Sequence, residues 1–147
     1  MATPFQIRPV TEGELPAFEF VDQHAFSARP DTERQRANWH ARLELDRTLG
    51  AFDGGLLAGV TGVYSFQMRV PGAMTAVAGV SMVAVLPSHR RRGILSALMR
   101  HQLGDIAERG EAVAALFASE TPIYGRYGYG RASWQLTLNL ALSLIHI

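Results

Sequence analysis

Apolar and polar residues alternate from Phe5 to Pro9, the period-two pattern of a short, half-buried strand. Thr11 and Glu14 then stand in the S/T-x-x-E spacing of a capping box, which predicts a helix start, and Leu15, Phe18, Val21 and Phe26 follow as its apolar positions. Pro30 and Asp31 break the chain. A second helix is predicted from about Thr32 to Asp46, burying Trp39 and Leu43. Leu49 to Phe52 reads as a strand, Asp53-Gly54-Gly55 as a hairpin turn, and Leu56 to Val70 as the returning strand. Pro71-Gly72 marks another turn, and Met74 to Leu86 is a long, mostly apolar strand ending at Pro87.

From Gly93 to Arg109 the period changes. Ile94, Leu95, Leu98, Met99, Leu103 and Ile106 recur at three- and four-residue spacings, which predicts an amphipathic helix stopped by Gly110. Ala112 to Ala118 is a continuous apolar run of strand length, the pattern of a strand covered on both faces. Thr121 to Gly130, rich in Gly and Tyr, reads as a short helix or turn, and Trp134 to Leu140 alternates again as a final strand. The expected order is β-α-α-β-β-β-α-β-α-β, an α/β (α+β) fold with a mixed central sheet flanked by helices. Residues 1–141 form one expected domain of a longer chain. Leu142 to Ile147 (LSLIHI) depart from the plan and read as a non-native tail, the alternative being a simple extension of the last strand.

Composition adds exclusions. The 147 residues suffice for one domain, 48% are hydrophobic and 18% charged, and the net charge of +1 favours no particular partner. The absence of cysteine removes disulfides, thiolate metal sites and a cysteine nucleophile, and is compatible with a cytoplasmic location. The first ten residues do not read as a signal peptide, having no basic stretch followed by an apolar run, and no apolar run is long enough to span a membrane. His24, His40 and His101 are isolated from one another, so no metal site is expected. Trp39, Trp134 and the apolar helix face are read as core or cleft wall.

The chemistry concentrates where the apolar strand Val83-Ala84-Val85-Leu86 passes through Pro87-Ser88-His89-Arg90-Arg91-Arg92 into Gly93-Ile94-Leu95-Ser96. A helix start leaves backbone N–H groups unpaired and carries positive potential, a ready site for a pyrophosphate. Gly93 permits close backbone approach, and loop arginines add charge-assisted donors. Three adjacent arginines are by themselves commonly a solvated face. A nucleic-acid reading lacks the basic stripe with interleaved aromatics.

Arg90-x-x-Gly93 between strand and helix resembles the acetyl-CoA loop of the GNAT acetyltransferases, Q/R-x-x-G-x-G/A, with Leu95 standing where Gly or Ala is usual. The longer strings SMVAVLPSHRRRGILSALM and AALFASETPIYGRYGYGRA closely resemble the enhanced intracellular survival (Eis) acetyltransferases, in which a bulky residue there is normal. The resemblance is densest from Gly79 to Ala132.

That resemblance implies an N-acetyltransferase moving an acetyl group from acetyl-CoA to a primary amine of a small molecule or lysine, with neither nucleic acid nor membrane as partner. It implies that Val83, Ala84 and Val85 pair with the pantetheine arm and aim an amide at the thioester carbonyl. Arg90 opens the motif, Arg91, Arg92, Gly93, Ile94, Leu95 and Ser96 form the pyrophosphate loop and helix start, and Ser119 and Glu120 make a second cofactor contact. Tyr124 is implied as general acid by the resemblance; the residues alone favour an aromatic filling a Gly-rich turn beside Tyr127 and Tyr129. The family's general base is a C-terminal carboxylate far downstream, so the isolated chain is expected to be inactive, and the full-length protein to be a homo-oligomer. The alternative is a non-catalytic acyl-CoA-binding module.

Overall fold

The structure, a computed structural model, describes residues 5–135. They divide after Phe117 into two compact units. The first unit holds a five-stranded sheet in the order β1-β2-β3-β4-β5, with β1 at Gln6–Pro9, β2 at Thr48–Asp53, β3 at Leu56–Val70, β4 at Ala73–Val85 and β5 at Val113–Ala115. The first three pairings are antiparallel and β4–β5 is parallel, so the sheet is mixed as the sequence predicts. Three helices accompany it: α1 at Leu15–Phe26, α2 at Glu33–His40 and α3 at Ile94–Glu108.

The entry to α1 is fixed by Glu14, whose Oε2 accepts both the Thr11 N–H at 2.9 Å and the Thr11 hydroxyl at 3.0 Å. Arg8 grips the same carboxylate through two nitrogens at 2.9 and 2.6 Å, and these bonds hold its pKa down to about 2. Leu15, Phe18 and Val21 of α1 pack on Phe52, Leu57, Val60, Ala84 and Leu86 of the sheet. Ile94 and Leu98 of α3 pack on Leu49, Ala51 and Ala58, and Ile106 on Val63, Ala78 and Val80. Strand alternation makes the α1 and α3 clusters opposite faces of the sheet. Full burial of a side chain such as Phe18 or Leu98 contributes roughly 1.5–3 kcal/mol. Arg47, 1% exposed, ties three elements: its guanidinium donates to Ser65 Oγ at 2.7 Å on β3 and pairs both nitrogens with Glu111 ahead of β5.

Four expectations are corrected. The second helix stops at His40 rather than Asp46, because the Glu44 carboxylate is drawn to β3, where it accepts the Ser65 N–H and hydroxyl, each at 2.6 Å. Phe26, in the last turn of α1, is 49% exposed instead of facing the core. The fifth strand has three residues, not seven, and none is fully buried, because it pairs with β4 only from Val77 to Gly79. Trp134 is 80% exposed, with the Arg131 guanidinium 4.5 Å from its ring centroid, and is neither core nor cleft wall. Most of the predicted last strand, and all of Leu142–Ile147, lie outside the described residues.

Two helix contacts yield tests. A Cβ at Gly59 would stand 2.5 Å from Ile94 Cγ2 and 3.3 Å from the Ala84 carbonyl oxygen, so this glycine lets α3 lie close on β3. Gly59→Ala is expected to destabilise the fold by about 1–3 kcal/mol, read as a lower urea midpoint at unchanged slope. On α1, Glu19 accepts Arg36 Nε and pairs with His40 Nε2, each at 2.8 Å, whereas Asp22 has one carboxylate oxygen buried without a partner. Burial, then the nearby Asp31 carboxylate, push the Asp22 pKa up to about 6. Its folded-state pKa lies above its unfolded value, so its proton favours folding below about pH 4, and that contribution is lost as pH rises through about 6. After allowance for solvent screening, Asp22→Asn is expected to add about 1–2 kcal/mol at neutral pH and little in acid, checked by denaturant unfolding at both pH values.

Candidate active site

Backbone pairing makes the first part of the site. The Leu86 N–H donates to the Ala58 carbonyl at 2.9 Å, which places Leu86 and then Ala84 in hydrogen-bonded pairs with β3. Alternation turns the N–H and C=O groups of Val85 and Val83 toward the opposite edge of β4. Pairing with β5 has already ended at Gly79, so no described strand occupies that edge. Between Ser81 and Ala84, two residues of β4 face the single residue Thr61 of β3. This bulge puts Met82 at φ 54°, a left-handed backbone that non-glycine residues hold under constraint. The Trp39 indole N–H donates to Met82 Sδ at 3.2 Å, and the Tyr64 hydroxyl lies 4.0 Å from the same sulfur.

Past Leu86 the chain makes a 3-10 turn at Pro87–His89, then adopts left-handed backbone at Arg91 (φ 62°) and Gly93 (φ 86°) before entering α3. Gly93 is the N-cap and no side chain caps the helix, so the amides of its first turn face an exposed loop. Ile94 is 1% exposed and belongs to the core, which leaves only its backbone for binding. Leu95 and Ser96 are half-buried on the same turn.

The three arginines differ. Arg90 Nη2 lies 3.4 Å from the Ala25 carbonyl oxygen near the end of α1. Arg92 Nη2 pairs with Asp53 Oδ2 at 2.9 Å, and its guanidinium carbon lies 5.2 Å from the Phe5 ring centroid. Arg91 projects from the strained turn into solvent. His89 Nε2 lies 3.5 Å from Asp53 Oδ2.

Ser119, Glu120 and Tyr124 belong to the second unit. Ser119 and Glu120 are exposed ahead of a 3-10 turn at Thr121–Ile123, and Tyr124 joins it to a second 3-10 turn at Gly125–Tyr127. The Tyr124 carbonyl accepts the N–H groups of Tyr127 and Tyr129, and the rings of Tyr124 and Tyr129 meet edge-on with centroids 5.9 Å apart. The burial of the Tyr124 phenol, and then the neighbouring Glu120 and Tyr127, raise its pKa. Burial likewise pushes Tyr129 up to about 12, and its hydroxyl is buried without a partner among the described residues. Arg126 donates to the Ile123 carbonyl at 3.0 Å and lies against the Tyr127 ring, as a residue of the turn.

Sequence reasoning passed over two residues of the first unit. Asp53 reads there only as a turn former, and the backbone angle of Met82 leaves no trace in residue type. Among the described residues, no three His, Cys, Asp or Glu side chains converge to hold a metal, and no helix is long and apolar enough to cross a membrane.

The fold and these motifs have counterparts. Residues 6–132 match the family model described as an acetyltransferase (GNAT) domain. An uncharacterized N-acetyltransferase of Streptomyces avermitilis is 44% identical over 124 residues, covering 84% of this chain and 30% of that protein. The N-acetyltransferase Eis of Mycobacterium tuberculosis is 42% identical over 143 residues, covering 92% of this chain and 35% of that protein. The crystal structure of Eis1 from Mycobacterium abscessus superposes with a TM-score of 0.76 at 42% identity, over 85% of this chain and 31% of that one. The chain thus spans about a third of the length of these relatives. A mixed sheet whose fourth strand runs through a basic loop into α3, matched across most of its length by that family model, makes this chain a member of the GNAT acetyltransferases, with Eis-like enzymes among its relatives.

Proposed function

We propose that this chain is the acetyl-CoA-binding part of an N-acetyltransferase that transfers the acetyl group directly to a primary amine. The observation that carries the reading is a pair of donor sets joined by the arginine loop: the β4 edge at Val83 and Val85, which no described strand occupies, and the start of α3, which no N-cap side chain closes. Acetyl-CoA suits this donor set. Its pantetheine arm has amides that pair like a strand, and its diphosphate is an anion suited to a helix N-terminus flanked by arginines.

In this reading Val83, Ala84 and Val85 hold the pantetheine arm, and an outward amide of that stretch stabilises the oxyanion formed when the amine attacks the thioester carbonyl. Arg90, Arg91 and Arg92, with the backbone of Gly93, Ile94, Leu95 and Ser96, serve the diphosphate, and Ser119 and Glu120 add a second cofactor contact. Tyr124 is the general acid. A phenol is protonated at neutral pH, and burial moves this one further in that direction, so its hydroxyl can donate to the sulfur as the carbon–sulfur bond breaks. The acceptor is a small-molecule or lysine amine. The base that takes its proton is assigned to a carboxylate beyond the residues described, and the complete protein is proposed to be a homo-oligomer.

Two experiments test the reading. Titration calorimetry of the chain with coenzyme A is expected to show saturable binding that Arg91→Ala weakens about tenfold; folded protein giving no binding heat refutes it. In the complete enzyme, Tyr124→Phe is expected to lower kcat by about 10²–10⁴ while acetyl-CoA affinity stays within about twofold. Unchanged kcat would remove Tyr124 from the chemistry and favour a packing role in the turn.

A further inference from the structure

Outside the residues assigned to the cofactor, one carboxylate touches the loop that carries them. Asp53 ends β2, on a strand that precedes β3, β4 and the loop in the chain. Its Oδ2 receives Arg92 Nη2 at 2.9 Å and faces His89 Nε2 at 3.5 Å. The His89 side chain is 13% exposed, and its Nδ1 is 2.9 Å from Ser88 Oγ. The Phe5 ring adds an aromatic face for the Arg92 cation. One carboxylate oxygen therefore pairs with Arg92 on one side of Arg90 and Arg91 and lies beside His89 on the other.

Between the two held residues the backbone is under constraint. Arg91 sits at φ 62°, and Gly93 follows at φ 86°. A non-glycine residue persists in the left-handed region when its surroundings over-determine it. The Asp53 pairings supply that determination from outside the loop. They also occupy Arg92, which leaves Arg91 as the exposed guanidinium of the three not engaged by Asp53 or by the α1 carbonyl.

We propose that Asp53 is a positioning residue for the diphosphate loop: by pairing with Arg92 and facing His89 it fixes Arg91 and the first-turn amides of α3 in the geometry that receives the coenzyme's diphosphate. The inference rests on the acetyl-CoA reading above. Within that loop it gives Arg92 a structural tie to Asp53 and Arg91 the direct contact with the anion. A surface ion pair of this kind contributes little to global stability, so its loss acts on the loop and not on the fold.

The test compares coenzyme A with pantetheine, a probe that has the arm but no phosphate, on the parent chain and on Asp53→Asn, Asp53→Glu and Arg92→Ala, with thermal melting as the check on folding. Asp53→Asn is expected to weaken coenzyme A binding about tenfold and pantetheine binding less than about twofold, with Asp53→Glu intermediate. The double variant Asp53→Asn/Arg92→Ala is expected to bind no more weakly than the weaker single variant, as coupled partners do. In the complete enzyme, Asp53→Asn is expected to raise KM for acetyl-CoA with kcat unchanged. Unchanged or tighter coenzyme A binding by a folded Asp53→Asn chain overturns the inference, as does an equal loss of pantetheine. If Asp53→Asn fails to fold, Asp53→Glu binding as well as the parent overturns it too. A parent chain that binds no coenzyme A overturns the functional reading as well, which separates the two failures.

Discussion

The fourth strand is paired along its full length on one side only. β4 is hydrogen-bonded to β3 from Ala73 to Val85, while its partner on the other side pairs with three residues and then stops. Buried backbone groups in a folded domain almost always find partners, so a strand edge left open in this way is a place where another extended chain can be accepted. Everything else in the first unit serves that arrangement. α1 and α3 cover opposite faces of the sheet, Arg47 ties Ser65 of β3 to Glu111 ahead of β5, and Gly59 admits α3 at close range. Because α3 is pressed on β3 through Ile94 and Leu98, its first turn is fixed relative to the strand end it follows.

Electrostatics then sorts the loop. Three arginines in a row repel one another, and each is placed in a different environment: Arg90 at a helix carbonyl, Arg92 at a carboxylate, Arg91 in solvent. A net charge of +1 gives the whole chain no strong field, so any preference for an anion has to be generated locally, by the helix start and the loop. The second unit contributes a different resource, a pair of tyrosines in a Gly-rich turn whose burial raises their pKa above that of a free phenol.

Much of this was legible beforehand, for specific reasons. The α3 boundaries follow from the spacing of Ile94, Leu98 and Ile106 and from Gly110, and the Thr11–Glu14 pairing announced the turn before α1 through local chemistry alone. Long antiparallel strands were legible because turn residues at Asp53-Gly54-Gly55 and Pro71-Gly72 bracket them. The misreadings share a cause. α2 ends early because Glu44 answers to Ser65, twenty-one positions away, and β5 is short because of where β4 diverges, so neither outcome is encoded in the segment itself.

The sequence by itself determined the order of elements, the apolar faces and the loop that joins a buried strand to a helix start, because periodicity, capping and turn chemistry act over a few residues. It also carried the motifs that place the chain in its family. Only the tertiary structure decided which edge of β4 no described strand occupies, that Met82 bulges from it, that one Asp22 carboxylate oxygen is buried without a partner among the described residues, and that Asp53 reaches across to Arg92. Those features arise between segments distant along the chain, where a side chain's partner is set by how sheets and helices stack, and no local pattern records it.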